Sequence, residues 1–330
     1  MTSKKNRETL IRETLEQHPN TPKKTLARML RKKYPLEFTS VETARSAIRY
    51  QCGQGGDRPG QTRKTDPVPD RPGKLRIPRG QRQTKSTLGI TTTGKWFVSG
   101  DWHVPYHDEQ ALETAVRHAV DNGCEHFYLN GDGIDFYRAS QWSKDPNARS
   151  IAYELKTLRE IFRYVLPHFP GRKIYKIGNH EDRLTRRIWQ ATPELACLQR
   201  FDVCEILDLG EFDFEFVQSR QATRFWKLWG WHGHELPQGI TNPVNIARGL
   251  YLRMGEPAFT NHWHQSSSHT ETTGGSRKQI QCFSIGCLCD TRPAYKPVNR
   301  WNHGHAILTL GRRSYDVDNF RHDDGKVYRA

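Results

Sequence analysis

The sequence predicts an α/β fold preceded by a small basic helical segment and a linker, and three observations support this. From residue 95, short apolar runs each stop at a polar turn: KWFVSGDWH at Asp101, HFYLNGDGID at Asp132, KIYKIGNHED at Asn179 and FWKLWGWHGHE at His232. Helix-period stretches, DEQALETAVRHAVDNG and IAYELKTLREIFRYVLPHF, separate the first three runs. Strand, helix, strand with right-handed crossovers is the signature of an α/β fold, whose ligands collect beyond the carboxyl ends of the strands. Third, the charge is lopsided. The 330 residues carry a formal +15, of which residues 1–90 hold +13 (21 Lys+Arg against 8 Asp+Glu) and the rest only +2.

Residues 4–50 predict three short helices. KKNRETLIRETLEQ places Leu10, Ile11 and Leu15 on one face. In the second, Thr21 is the expected N-cap, Pro22 the first helical residue, and Leu26, Ala27 and Leu30 the buried stripe, with the helix ending near Tyr34-Pro35. The third opens at TSVE, where Thr39 and Glu42 fit a capping box, and runs through Ala44 and Ile48 with Arg45, Arg49 and Tyr50 outward. Three basic helices with tight joints fit a helix-turn-helix-like module in residues 1–51, and equally any small helical bundle. Residues 52–93 are dense in Gly, Pro, Arg, Lys and Thr, a composition that cannot bury enough apolar surface to offset chain entropy. They are read as a flexible linker, and 94–330 as the main domain. GITTTGKW imitates the start of a P-loop, but Trp96 replaces the magnesium-binding Ser/Thr and the glycines precede a strand instead of following one.

The basic arm points to a polyanionic partner, DNA more than RNA, against the plain alternative of a solvated tail. Seven cysteines, at 52, 124, 197, 204, 282, 287 and 289, contain no CxxC pair, which suggests a reducing compartment. No apolar run approaches membrane-spanning length, and MTSKKNRETL is a charged start. The expectation is a cytoplasmic protein without a membrane partner.

A Gly-Asp after a strand is ordinarily just a turn. Here, however, every strand end delivers oxygen or imidazole donors beside glycine: Asp101, His103, Asp132, Asn179, His232, and further on His262 and His264 in TNHWHQSSSH. Seven donors exceed what one tetrahedral ion takes and suit two ions sharing a carboxylate. A thiolate-free donor set favours Mn²⁺, with Fe or Zn²⁺ as the other choices.

The order Asp-x-His at 101–103, Gly-Asp-x-x-Asp at 131–135, Gly-Asn-His-Glu at 178–181, HGH at 232–234 and NHWH at 261–264 resembles the calcineurin-like metallophosphoesterase superfamily over about residues 95–310. The extended forms DWHVPYHD and GNHEDR are most similar to members encoded by bacteriophages and bacteria, so a phage origin would make the compartment host cytoplasm. The resemblance implies a four-layer α/β/β/α sandwich, with KQIQCFSIGCLC and HAILTLG as later strands of the second sheet. It implies that Asp101, His103 and His264 hold one metal, that Asp132 bridges, and that Asn179, His232 and His262 hold the other. His180 would be the general acid, Asp135 would orient it, and a metal-activated hydroxide would attack phosphorus. The family usually has Gly where this chain has Asn261, and Asn is expected there because it tolerates positive φ.

Arg183, Arg186 and Arg187 follow the GNHE turn at helical spacing and are expected to begin a phosphate-binding face, Arg183 and Arg187 foremost, or else a solvated charged face, with His234 as a further substrate contact or a support behind the ligands. His107 shares that expectation, whereas His269, His303 and His305 read as surface or turn histidines. RASQWSKDPNARS, after the Asp135 turn, reads as a rim loop. The implied function is a phosphodiesterase or nuclease acting on nucleic acid. A phosphomonoesterase acting on phosphoprotein or a small ester is the alternative, and a non-catalytic DNA-binding protein is the third reading.

Overall fold

The apolar spacing of the first fifty residues produces three eleven-residue helices, α1 (Arg7–Gln17), α2 (Lys23–Lys33) and α3 (Val41–Gln51). The structure, a computed structural model, describes residues 6–19, 21–52, 87–194, 196, 198, 201–236 and 244–330. Leu10 and Ile11, Leu26 and Leu30, and Ala44 and Ile48 meet around Phe38 in a core of their own. The caps differ from expectation by one residue. The hydroxyl of Ser40, not Thr39, accepts the Thr43 N–H at 3.0 Å and caps α3. Pro22 is itself the N-cap of α2, which begins at Lys23. The contacts divide the chain after Arg82 into this helical unit and a larger one.

Most of the expected linker, 53–86, lies outside the described residues, as does Cys197. Its end does not behave as linker: β1 (Leu88–Ile90) pairs in parallel with β6 (Thr223–Phe225), so the larger unit takes in residues earlier than 94.

Two sheets form the larger unit. The seven-stranded sheet contains β2 (Gly94–Ser99), β3 (His126–Asn130), β4 (Lys173–Lys176), β5 (Phe214–Val217), β11 (Gly304–Leu310), β12 (Tyr315–Asp323) and β13 (Lys326–Arg329). Its order is β13-β12-β11-β2-β3-β4-β5, with β2 to β5 parallel. The six-stranded sheet adds β7 (Leu228–Trp231), β8 (Ala258–Thr260), β9 (Ser267–Thr272) and β10 (Gln279–Ser284), in the order β1-β6-β7-β8-β10-β9. HAILTLG therefore does not join the second sheet. It pairs antiparallel with β2, Ala306 opposite Val98, and makes β2 an interior strand.

Period-two alternation explains the layers. Trp96, Val98, Tyr128, Ala306 and Leu308 face the other sheet, where Phe225, Phe259 and Ile285 meet them. Phe97, Phe127, Leu129 and Ile307 face the opposite way, against α4 (Glu109–Asp121) and α5 (Ile151–Val165). On the far side, α8 (Ile246–Met254) buries Ala247 and Leu250 over Ala258 and Cys282. The result is the expected α/β/β/α sandwich. α6 (Asn179–Ala191) and the short α7 (Val203–Ile206) complete it.

Candidate metal centre

The polar turns that follow β2, β3, β4, β7 and β8 carry all seven expected ligands, and each of these strands has a parallel neighbour among the five. Their carboxyl ends thus discharge into one place from both sheets, as parallel strands require. Backbone geometry there is unusual. Asp101, His103, Asp132, His262 and His264 all have φ between 49° and 65°. This left-handed region is rare for residues with a Cβ and persists only where surroundings enforce it. Asn261 is not among them. The positive φ falls on His262 next to it, and Asn261 lies fully buried, accepting from Asn130 Nδ2 at 2.9 Å.

Backbone N–H groups fix the two carboxylates. Asp101 Oδ2 accepts from His262 N at 2.8 Å, and Asp132 Oδ1 from His180 N at 2.9 Å. Each carboxylate therefore has its other oxygen aimed at the centre. Asp132 Oδ2 lies 3.1 Å from His232 Nε2 and 3.9 Å from His103 Nε2. Asp101 Oδ1 lies 3.8 Å from His264 Nε2 and 3.9 Å from His232 Nε2. His103 Nε2 and His264 Nε2 are 3.2 Å apart, and Asn179 Oδ1 is 3.1 Å from His232 Nε2. The ring centroids of His232 and His262 are 5.1 Å apart.

These donors fit a metal. Ligands about 2.1 Å from a common ion stand roughly 3.0 to 3.4 Å apart, and the closest donor pairs have that spacing. Asp101 Oδ1 is buried without a hydrogen-bond partner, which is costly for a carboxylate unless a cation supplies the interaction. Burial pushes the Asp101 carboxyl up to about 8 against the opposing pull of His232. For Asp132 burial acts the same way, but His232 and His180 outweigh it and hold this carboxyl well below the ordinary range. His232 is raised to about 10: burial opposes protonation, and the Asp132 carboxylate overcomes it. Burial, aided by His232, lowers His262 to about 3, leaving a neutral imidazole able to coordinate.

Among the described residues, three trios have donor atoms close enough for one ion: Asp132, His232 and His262; His103, Asp132 and His180; and His103, His264 and Cys289. Cys289 lies behind the centre, its sulfur 3.8 Å from His264 Nδ1, the nitrogen turned away from His103.

His180 joins the centre through Asp135. Its Nδ1 lies 2.6 Å from Asp135 Oδ1, which also receives His103 Nδ1 at 3.3 Å. Its Nε2 is 3.9 Å from Asp132 Oδ2 and 3.0 Å from Arg183 Nη2. Burial works against protonating His180, yet Asp132 and Asp135 outweigh it and raise its pKa. The expected basic face splits. Arg183 turns in, donating to the Asp135 carbonyl at 3.1 Å, whereas Arg186 pairs with Asp182 at 2.7 Å and Arg187 is exposed. His234 is half-buried beside His232, with Nε2 3.2 Å from Ser219 Oγ.

Two positioning residues went unread in the sequence. Glu181 is fully buried and accepts the N–H groups of Asp132, Gly133 and Gly178 at 2.8 to 3.1 Å, with the Tyr175 hydroxyl at 2.6 Å. One carboxylate thus ties the Asp132 turn to the start of α6. Gly-x-x-Glu at 178–181 is half a capping box, and that was the available signal. Gly178 is required by the same closeness, since a Cβ there would stand 2.2 Å from Asp132 Oδ1. Glu235 forms a buried ion pair with Lys176 at 2.7 Å and accepts the Gly233 N–H at 2.8 Å, which anchors the HGH turn to β4.

No family model matches the chain, and no curated protein matches it. Solved structures align with its larger part. Zinc-complexed wild-type Vps29 from Entamoeba histolytica aligns at 13% identity over 72% of this chain and 97% of that one, TM-score 0.38. Vacuolar Protein Sorting 29 from Cryptosporidium parvum aligns at 11% over 72% and 96%, TM-score 0.40. YfcE, a phosphoesterase from E. coli, aligns at 15% over 72% and 98%, TM-score 0.36. Likeness at this level assigns no activity.

Proposed function

We propose that the chain is a two-metal phosphoesterase of the calcineurin-like type, cleaving phosphodiester bonds in nucleic acid. The observation that carries this is the convergence of two carboxylates, one amide and four imidazoles, with buried Asp101 Oδ1 lacking a partner. In this reading Asp101, His103 and His264 would hold one ion, Asn179, His232 and His262 the other, and Asp132 would serve both. When bound, two divalent ions, Mn²⁺ by preference, would supply an activated water and charge neutralisation at the phosphoryl oxygens. The side chains do the rest. With Nδ1–H donating to Asp135, His180 presents Nε2 toward Asp132. Arg183 Nη2, which can only donate, is held by that nitrogen as acceptor, so Arg183 must swing off it for a protonated His180 to deliver a proton to the leaving oxygen. Asp135 fixes the ring and favours its protonated form. Arg183, 3.0 Å from that nitrogen, is a cation within reach of a substrate phosphate at the centre.

The choice of nucleic acid is supported by the basic helical unit. α2 ends in Arg31, Lys32 and Lys33, and α3 exposes Arg49 beside the half-exposed Arg45. A cytoplasmic location goes with this substrate; among the described residues no helix is long and apolar enough to cross a membrane.

The test is incubation of the Mn²⁺-loaded protein with single-stranded, duplex and nicked DNA, RNA and a phosphopeptide. Cleavage of a nucleic acid and of a bis-aryl phosphate, with little action on a mono-aryl phosphate, is expected. The opposite preference makes the protein a phosphomonoesterase. Absence of bound metal after loading makes it a non-catalytic DNA-binding protein. Removing residues 1–86 should weaken DNA binding and flatten its salt dependence, read by titration from 50 to 200 mM salt.

A further inference from the structure

A cavity of about 390 Å³ opens beside the His103 and His264 side of the centre, and most of its outer wall lies outside the metal-binding motifs. His103, His264 and Asp135 form its inner end, while Tyr106, Tyr137, Tyr295 and Trp301 line it further out. These aromatic residues come from three separate segments. Tyr106 follows the Asp-x-His turn, Tyr137 follows Asp135, and Tyr295 and Trp301 lie in the connection between β10 and β11. They form two pairs. Tyr106 and Tyr137 have centroids 6.4 Å apart at 74°, and Tyr295 and Trp301 have centroids 6.4 Å apart at 66°. Trp301 also packs on the ligand His264, centroids 4.1 Å apart, which fixes the wall to the centre.

Two of these rings are open to water. Tyr295 is 79% exposed and Tyr106 42%, a large aromatic surface for side chains that gain most from burial. The rim, by contrast, is held in place. Arg138 donates to the carbonyls of Pro146 and Arg149, and Tyr137 Oη accepts from Asp145 N at 3.0 Å. This is the RASQWSKDPNARS loop, which delivers Asp145, Asn147 and Arg149 to the cavity mouth. Asp145 and Asp290 make the mouth partly acidic, so it suits a polar heterocycle with N–H groups better than a second phosphate.

We infer that this cavity is a nucleobase pocket, holding one unpaired base of the nucleic acid whose phosphate lies at the metal centre. The inference rests on the phosphoesterase reading and narrows its substrate. A cavity near the small end of ligand pockets takes a single nucleoside and excludes an intact duplex. The base must therefore come from a single strand, a frayed end or a nucleotide turned out of its helix. Stacking on aromatic rings accepts any base, so the pocket selects for unpaired nucleotides and not for sequence.

The experiment compares a nucleoside 5′-monophosphate with ribose 5-phosphate as ligands of the Mn²⁺-loaded full chain, by calorimetry and by tryptophan fluorescence. The nucleotide is expected to bind about 5- to 100-fold more tightly, the range that stacking one base supplies, and to quench fluorescence. Tyr295→Ala should shrink that ratio at least threefold, and Tyr295→Phe should restore it. Because Tyr295 is so exposed, neither change threatens folding. Equal affinities in the wild type, or a ratio indifferent to both Tyr295→Ala and Tyr106→Ala, overturns the pocket. Hydrolysis of a bis-aryl phosphate by the same preparation separates the two readings. Turnover with equal affinities removes the pocket and keeps the phosphoesterase. A strong nucleotide preference without turnover of any ester does the reverse.

Discussion

Among the described residues of the larger unit, two buried histidine clusters stand in contrast, and only one of them gathers carboxylates around its imidazoles. At the metal centre five imidazoles surround Asp101, Asp132 and Asp135, and their proton affinities are driven apart: His232 up to about 10, His262 down to about 3. The second cluster is a chain. His118 Nδ1 meets His305 Nε2 at 2.9 Å, and His305 Nδ1 meets His322 Nε2 at 2.7 Å, beneath Phe320. No carboxylate hydrogen-bonds to these three rings among the described contacts, and burial lowers all of them. The same residue type thus serves two ends. Where carboxylates converge, imidazoles of opposite proton affinity stand side by side, the arrangement that ligation and acid catalysis need. Where they do not, neutral imidazoles hydrogen-bond one another, although His322 Nδ1 stays buried without a partner. His305 also corrects the expectation of a surface residue, being fully buried.

The sharpest way to break this contrast is Asp132→Ala. It removes the carboxylate oxygen that lies between His103 and His232, and should abolish Mn²⁺-dependent turnover and lower the bound metal measured by elemental analysis. Unchanged turnover would falsify the bridging role. His180→Ala comes next. It should lower kcat by about 10²- to 10⁴-fold, the usual contribution of a general acid, while leaving two metals bound. If metal content fell as well, His180 would belong with the ligands, as its place in a trio with His103 and Asp132 allows.

The smallest effect belongs to the second cluster and appears in stability against pH. His322 is lowered to about 4 in the fold, first by burial and then by His303, whereas an unfolded histidine titrates near 6.5. The unfolded chain therefore takes up a proton that the folded one refuses. His322's contribution is complete above about pH 6.5 and is lost as pH falls toward 4, about 3 kcal/mol in all. Thermal melts of metal-free protein between pH 7 and 4 should show a smaller loss for His322→Gln than for the wild type, and equal losses would discount the chain.

The clusters also differ in how far the sequence disclosed them. Each candidate ligand stands just past an apolar run, and the order of donors along the chain suggests the chemistry, so all seven could be picked out as candidates from the sequence, and the structure brings them together. His118, His305 and His322 lie on a helix and two strands, 187 residues apart at their most distant contact, and no local spacing brings them together. The same limit hid the partner of HAILTLG, whose alternation marks a strand but not the edge it joins. The wall formed by Tyr295 and Trp301 lies in a loop without periodicity. The left-handed backbone of the five ligands is imposed by tertiary contacts, because Asp and His carry no preference strong enough to announce it.

Gly100 and Asn261 close the floor of the centre from opposite sheets. A Cβ on Gly100 would stand 2.8 Å from Asn261 Cγ, so the amide occupies the room that the glycine leaves empty. Asn261 supplies the bulk for both positions, since Gly100 leaves it the room. The two sites should therefore vary together among descendants of this chain, each enlargement on one side matched by a reduction on the other. Grafting one of these turns into another protein without its counterpart would leave either a collision or a hole beneath the carboxylate and imidazole cluster.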